Sequence, residues 1–543
     1  MAGRAGGSGQ GRRGSGQEGR GGGRRGQQRG HAASQRRGQG RERGHGNEGG
    51  RNHPARQGSQ RGRGPRDDGG SQRLRPNPDA ARLAALEALT RVREDGAYAN
   101  LVLPPILAAA SLDRRDAGFA TALTYGALRL AGRYDAILAL CVDRPLAQLD
   151  GVVLDALRLG AHQLLGMRVP AHAAVSATVE LAAHAAGRGA SSFVNAVLRK
   201  VSAKDLDAWL AELRAAAPDE LAALAAIESH PVWIVKALRQ ALVVSGRDPS
   251  ELEDLLAADN ADPEVVLCAR PGLVETERLA AEARRAVGDE PRLGDTSPCA
   301  VVLAGGDPGR VPAVRDSRAG VEDEGSQLVA LMASEPAITG RDERWLDMCA
   351  GPGGKAALLG ARAAQRGARL VANEVAPHRA RLVEAAVRAI PDGVVEIRCG
   401  DGRQIGRDEP GRYDRVLVDA PCTGLGSLRR RPEARWRRDP KDVTELAALQ
   451  RELLLSALAA VRRGGLVAYV TCSPHALETS LVVKDALSRA TRGGMSIETL
   501  HAGDAATRIA PRPPAGADRA QLQLWPHLDG TDAMFCALLR RDR

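Results

Sequence analysis

From Pro76 to about Val201, apolar residues recur three and four positions apart, as at Leu83, Leu86 and Leu89 and again at Leu154, Leu157 and Leu165. This is the period of amphipathic helices. Turn signals at Asp113-Arg114-Arg115-Asp116 and Gly187-Arg188-Gly189 divide the stretch into six or seven of them. The pattern stays helical through Asp207-Ala208-Trp209-Leu210, and Pro231 predicts a helix start, because proline suits the first turn, where its missing N–H is not needed. Residues 262–340 then mix short strands (Glu264–Leu267, Ala300–Leu303) with a helix near Glu275 to Ala286. From Arg344 onward strand and helix patterns alternate. Strands are predicted at Trp345–Met348, Arg369–Ala372, Val394–Ile397, Tyr413–Val418 and Leu466–Val470. Such alternation specifies a parallel sheet covered on both faces, the doubly wound, Rossmann-like α/β class. The predicted organisation is a tail over 1–75, an all-α domain over 76–205, a helical linker over 206–261, a small α+β connector over 262–340 and a doubly wound catalytic domain over 341–543.

Charge separates the first segment from the rest. Residues 1–75 hold 18 Arg, no Lys and 5 acids, a net +13, while the remainder carries −2. Mixed Gly, Arg, Gln and Ser cannot bury enough apolar surface to offset the entropy of ordering, so the tail is expected to be disordered. It reads either as a sequence-blind RNA tether, with guanidinium groups neutralising phosphates, or as a solubilising extension. The eight cysteines form no CxxC pair and no Cys/His cluster at zinc spacing, which disfavours a disulfide framework and a metal site. With no secretory signal and no uncharged apolar run of about 18 residues, a soluble cytoplasmic protein away from the membrane is expected.

The chemistry gathers at predicted strand ends. After the first strand of the catalytic domain comes Cys349-Ala350-Gly351-Pro352-Gly353-Gly354-Lys355. Glycine lets a ligand approach the backbone, and the following helix N-terminus favours an anionic group. Cys349 and Ala356 stand where a phosphate-binding Walker loop needs Gly and Ser/Thr. Glu374 follows the second strand, where an acid typically accepts hydrogen bonds from the ribose of an adenosine-type cofactor; Asp401 and Asp419 follow the third and fourth. Cys422, in Asp419-Ala420-Pro421-Cys422, and Cys472, in Thr471-Cys472-Ser473, lie just past strand ends, whereas Cys141, Cys268, Cys299 and Cys536 read as buried hydrophobes. A thiolate beside an adenosine cofactor suits a pyrimidine acceptor. Addition at C6 of cytosine makes C5 a carbon nucleophile toward a sulfonium methyl, and an acid near N3, a role open to Asp419, eases the addition. The residues alone do not rank the two thiols. Between them, Leu428 to Arg438 places six Arg around Trp436, which predicts a phosphate-and-stacking surface for single-stranded RNA or, failing that, a solvated helix face.

Together Cys349–Lys355, Asp419–Cys422 with Gly424 and Gly426, and Thr471–Ser473 with Glu478 resemble the Sun-type RNA cytosine-C5 methyltransferases, which use S-adenosylmethionine. Upstream, Asp113–Phe119 and Phe193–Arg199 are similar to the NusB-like RNA-binding domain fused to the bacterial small-subunit rRNA enzyme of that family. The resemblance spans residues 76 to about 540. It implies Cys472 as nucleophile, Cys422 as the thiol assisting release, and Cys349 to Lys355, Glu374, Asp401 and Asp419 as cofactor contacts. The implied substrate is the 16S rRNA cytosine conventionally numbered 967, with no DNA partner and a monomeric enzyme expected. Departures are Thr479 in place of Asn, Glu374 in place of a frequent Asp, and Asp532-Ala533-Met534-Phe535 in place of Asp-Gly-Phe-Phe. Competing readings are the same chemistry on tRNA or 23S rRNA, and a non-catalytic RNA-binding assembly or antitermination factor.

Overall fold

The computed structural model describes residues 78–542; the tail expected to be disordered lies outside the described residues. The first helices are α1 (Ala80–Glu94), α2 (Ala99–Ala109), α3 (Arg114–Arg129), α4 (Ala131–Cys141), α5 (Gly151–Leu165) and α6 (Ala171–Val201). Asp79, Asp113 and Asp150 cap α1, α3 and α5, each carboxylate accepting a backbone N–H of the first turn. Leu89, Leu123, Leu157, Leu181 and Leu198 meet in one aliphatic core. Gly187, at φ 84° and ψ 179°, is not helical and divides the α6 span into two helical pieces, the break that the Gly187-Arg188-Gly189 turn signal predicted. Four further helices follow: α7 (Leu206–Ala216), α8 (Glu220–Ile227), α9 (Val232–Val244), which starts directly after Pro231, and α10 (Leu252–Asp259).

The connector folds as an antiparallel sheet of β1 (Val265–Ala269), β2 (Arg292–Leu293), β3 (Ala300–Leu303) and β4 (Ala319–Val321) in the order β2-β3-β1-β4. It carries α11 (Thr276–Val287) and the short α12 (Pro312–Arg315), and passes through α13 (Glu324–Ser334) into the catalytic sheet.

In that sheet β5 (Arg344–Asp347), β6 (Arg369–Glu374), β7 (Val395–Cys399), β8 (Tyr413–Asp419) and β9 (Val461–Thr471) run parallel. Between and after them come α14 (Gly354–Arg366), α15 (Pro377–Val387), α16 (Gly402–Asp408), α17 (Ala434–Arg437), α18 (Pro440–Ala460) and α19 (Ser480–Arg492). The chain ends with β10 (Ile497–Leu500), α20 (Ala502–Ile509), β11 (Leu522–Gln523), α21 (Pro526–Asp529) and β12 (Phe535–Arg541). The order is β10-β12-β9-β8-β5-β6-β7, with β11 also on β12. Strand residues alternate between two cores: Leu346, Val416, Val418, Val467 and Tyr469 pack toward α18 and α19, whereas Trp345, Leu417, Ala468 and Val470 pack toward α13, α14 and α20. Both faces are therefore covered, as a doubly wound sheet requires.

The sheet departs from the expected purely parallel form, because β12 and β10 add antiparallel strands at one edge. The run Phe535 to Leu539 is short and apolar, which periodicity cannot distinguish from a buried helix segment; its pairing with β9 decides the matter. This addition bears on the site. Phe535 pairs with Thr471, so the Asp532–Met534 turn arrives at the carboxyl end of β9. Among the described residues no single helix is long and apolar enough to cross a membrane.

A candidate active site at the sheet edge

Parallel register brings Asp347, Glu374, Asp419 and Thr471 to the same edge of the sheet, where the crevice of a doubly wound fold opens. The turn after β5 is held from below by Asn373, whose carbonyl accepts from Ala350 N at 2.8 Å and whose amide donates to the carbonyls of Met348 and Gly400 at 3.0 Å. Glu374 is buried; its two oxygens accept from Gly351 N and Ala376 N, both at 3.0 Å, and Arg379 lies 3.6 Å away. A Cβ at residue 351 would sit 2.3 Å from that carboxylate, and one at Gly353, where φ is 116°, would sit 2.7 Å from Ala386 Cβ. Bare main chain is thus obligatory in this turn. Asp401 caps α16 through Arg403 N at 3.0 Å, and the Arg403 guanidinium holds its carboxyl below the usual range.

Cys422 and Cys472 come from different loops and meet with their sulfurs 3.3 Å apart. Their protons divide unequally. The hydrogen bond from Cys422 lowers the Cys472 thiol against the opposing effect of burial, and the Lys355 ammonium adds to the lowering. The same hydrogen bond raises Cys422, burial adds to that, and the carboxylates of Glu478 and Asp419 oppose its ionisation further. Lys355 Nζ contacts Asp419 Oδ2 at 3.0 Å. Burial works to lower this ammonium, but Asp419 and Glu322 hold it above its ordinary value. Lys355 therefore reaches from the glycine turn to the end of β8.

Glu478 explains how the two loops keep register. It is fully buried, with Oε1 accepting from Thr423 N at 2.8 Å and Gln450 Nε2 at 3.1 Å, and Oε2 accepting from Ser473 Oγ at 2.6 Å and from the Thr423 hydroxyl. Gln450 also donates to Pro421 O at 2.8 Å. Gly426 fits between the loops because a Cβ there would lie 2.4 Å from Ala533 O and 2.9 Å from Cys472 O. Sequence reasoning gave Glu478 no role and missed Gln450. The signal was present in Gln450, a polar residue at an apolar-periodic position of α18, next to Leu453 and Leu454. Asp347 was missed as well. Its carboxyl has no hydrogen-bond partner, and burial together with Asp419 pushes it up to about 8.

Most arginines of the arginine-rich segment are spent inside the protein, so they form neither the expected open phosphate surface nor a solvated helix face. Arg429 and Arg430 both pair with Asp323 and Asp532, at 2.7 to 3.1 Å. Arg435 is fully buried and donates to Ser229 O at 2.9 Å, Asn260 Oδ1 at 2.8 Å and Asp259 O at 3.2 Å. Arg437 donates to the carbonyls of Val92, Gly96 and Ala97 at 2.6 to 2.9 Å, and it and Arg431 lie over the Tyr98 ring. Arg438 Nε reaches Thr423 O at 3.1 Å, back in the Cys422 loop. Most of these donors reach carbonyls and carboxylates of the helical segments, the connector and the C-terminal turn, so they clamp the molecule together, although Arg435 Nε has no partner. Trp436, 46% exposed, and Arg431 stay open.

The doubly wound sheet thus collects a bare glycine turn, strand-end acids and a close pair of thiols at one edge. The family described as 16S rRNA methyltransferase RsmB/F matches residues 338–540, and the NusB family matches residues 79–203. A Mycobacterium tuberculosis protein described as a methyltransferase is 49% identical over 464 residues, 85% of this chain and 97% of its own length. Ribosomal RNA small subunit methyltransferase B of Pseudomonas syringae pv. tomato is 32% identical over 462 residues, 84% of this chain and 96% of its own. The crystal structure of PH0851 shares the fold, with a TM-score of 0.69 at 20% identity over 86% of this chain and 99% of that one. The chain belongs to the RsmB/F family of RNA methyltransferases, with a NusB domain at the start of the described residues.

Proposed function

We propose that this protein transfers the methyl group of S-adenosylmethionine to C5 of a cytosine in small-subunit rRNA, the nucleotide conventionally numbered 967, through a covalent adduct with Cys472. The observation that carries the reading is the 3.3 Å thiol pair beside the Lys355–Asp419 ion pair. The small-subunit target rests on the Pseudomonas relative's name and on the NusB domain.

The site fits a cationic adenosine cofactor. Asp347, Glu374 and Asp419 crowd one edge, and the rise of the Asp347 carboxyl measures their mutual repulsion as well as its burial. A sulfonium and an amino group offset that repulsion. The turn from Cys349 to Lys355 would line the cofactor, Glu374 would accept from its ribose, and Asp401 and Asp419 would flank it. When bound, it supplies an electrophilic methyl.

The chain's own groups do the rest. Cys472 Sγ, favoured as thiolate by Cys422 and Lys355, bonds to C6, and the C5–C6 electron pair shifts to make C5 nucleophilic. The Asp419–Lys355 pair supplies a proton toward N3, which neutralises charge on the ring. After C5 is methylated it loses its proton to a base, the C5–C6 double bond re-forms, the C6–S bond breaks, and N3 returns its proton to the Asp419–Lys355 pair. The Cys422 S–H then hydrogen-bonds the departing thiolate, which is its relation to Cys472 in the free site.

Bisulfite sequencing of total RNA from cells with and without the gene tests the reading. One protected cytosine lost from small-subunit rRNA is the expected result. Loss in a different RNA overturns the target, and no loss in any RNA overturns the reaction.

A further inference from the structure

A cavity of about 420 Å³ opens beside the loop that carries Cys472. Its volume falls in the range of small-ligand sites. Helix α9 and the turn after it supply Val244 and Gly246, β11 and β12 supply Gln523 and Phe535, and the loop after Cys472 supplies Pro474 and Thr479. Phe535 pairs with Thr471 on one side and Gln523 on the other, so the cavity lies at the sheet edge that also holds the thiols. Pro474 follows Cys472 by two residues, at most about 7 Å of chain. Two features mark it as more than a packing gap. Gln523 is 8% exposed, and its amide nitrogen donates to Leu524 O at 3.0 Å and Met534 O at 3.3 Å, which fixes the way the amide lies. Among the described residues none donates to its Oε1, and that oxygen is not sealed from the cavity. The border is apolar as well: Val243, Val244, Leu477 and Leu481 are all exposed, and α9 packs against the turn of Ala476–Glu478. Exposed apolar side chains grouped in this way mark interaction sites.

The rim charges say what kind of ligand belongs here. Of its two arginines, Arg247 is held by Glu251 at 2.8 Å, whereas Arg519 reaches Asp518 Oδ2 only at 3.4 Å and Gly246 O at 3.5 Å. Apolar walls, one fixed acceptor and a loosely held guanidinium suit a nucleotide, with its base inside and its phosphate at the rim. An RNA strand whose cytosine reaches Cys472 also passes this cavity, because Pro474 borders it so close to the thiol in the chain. We infer that the cavity takes the base next to the target cytosine, the base giving an exocyclic amino N–H to Gln523 Oε1 and the phosphate lying against Arg519. This inference rests on the reaction proposed above. It gives the helical linker a part in recognition, since α9 and its following turn form one side of the site.

Fluorescein-labelled seven-residue RNA backbones that are abasic except at the centre test it, the centre carrying adenine or purine, which is adenine without its amino group. They are titrated into the full-length protein with anisotropy as readout. In the wild type the adenine probe is expected to bind about fivefold tighter than the purine probe, the scale of one neutral hydrogen bond. Val244 is exposed, so Val244→Trp fills the cavity from its mouth with the fold retained, and it is expected to erase that preference; Gln523→Leu should do the same. Equal binding of the two probes by the wild type, binding of neither, or a preference that survives Val244→Trp overturns the inference. Heptauridylates with a central 5-fluorocytidine then locate the site, because fluorine cannot leave C5 as a proton does and the adduct with the protein persists. With S-adenosylmethionine present, adenosine in place of purine riboside is expected to speed adduct formation on one side of the fluorocytidine and not on the other. Equal rates on both sides overturn the placement beside the target. No adduct with any of these RNAs, alongside an intact adenine preference in the abasic probes, counts against the reaction proposed above and upholds the cavity.

Discussion

The thiol loops and the arginine-rich segment are adjacent in the chain, and both carry conspicuous residues, yet the fold uses them in opposite ways. Cys422 and Cys472 end up facing the crevice, where their chemistry is available. Of the arginines that follow within sixteen residues, all but the exposed Arg431 are turned onto carbonyls and carboxylates. The difference comes from what fixes each direction. A residue just past a parallel strand lies at the crevice because of strand geometry alone, whereas a long cationic side chain goes wherever its best-matched acceptors lie.

Substitutions can pull that contrast apart. Cys472→Ala should reduce methylation by about four orders of magnitude or more, the scale for removing a nucleophile, with the urea midpoint nearly unchanged; turnover near wild type in a radiolabel-transfer assay would sink its assigned role. Arg435→Ala should do the reverse. Removing a fully buried guanidinium strands its acceptors at Arg129 O, Ser229 O, Asp259 O and Asn260 Oδ1 and is expected to cost about 3–5 kcal/mol in urea unfolding, the size for breaking a buried charged network. A loss below about 1 kcal/mol would mean the segment is not a clamp. Cys422→Ala should slow release and accumulate a protein–RNA adduct that survives denaturing electrophoresis, and its absence with substrate RNA would remove Cys422 from the release step.

A pH-dependent effect concerns Asp347. Its folded-state value of about 8 exceeds the ordinary 3.8, so the folded protein binds this proton more tightly than the unfolded chain. Stability from this group is then full below about pH 4 and is lost as pH rises toward 8. Asp347→Asn should therefore flatten the fall in melting temperature between those values. Parallel profiles for the two proteins would show that Asp347 does not carry it.

Much of this was legible beforehand. The parallel strands of the catalytic sheet, the helix start after Pro231 and the buried cysteines at 141, 268, 299 and 536 all follow from local pattern. The antiparallel β10 and β12 did not, since a short apolar run has no period of its own to read. Glu478 was visible only as part of a motif. Its function needs Thr423, Ser473 and Gln450 around it, residues from three separate segments.

By itself, then, the sequence determined which residues sit at strand ends, because an apolar run that stops at a glycine or proline turn allows one local conformation. That was sufficient for the glycine turn, the strand-end acids and the two thiols, and for the family they resemble. Only the tertiary structure decided that the two sulfurs meet at 3.3 Å beside the Lys355–Asp419 pair, and which arginines are consumed in holding the domains together. Those outcomes depend on distances between groups far apart in the chain, and electrostatic and hydrogen-bond energies at a buried site are set by such distances and by the exclusion of water.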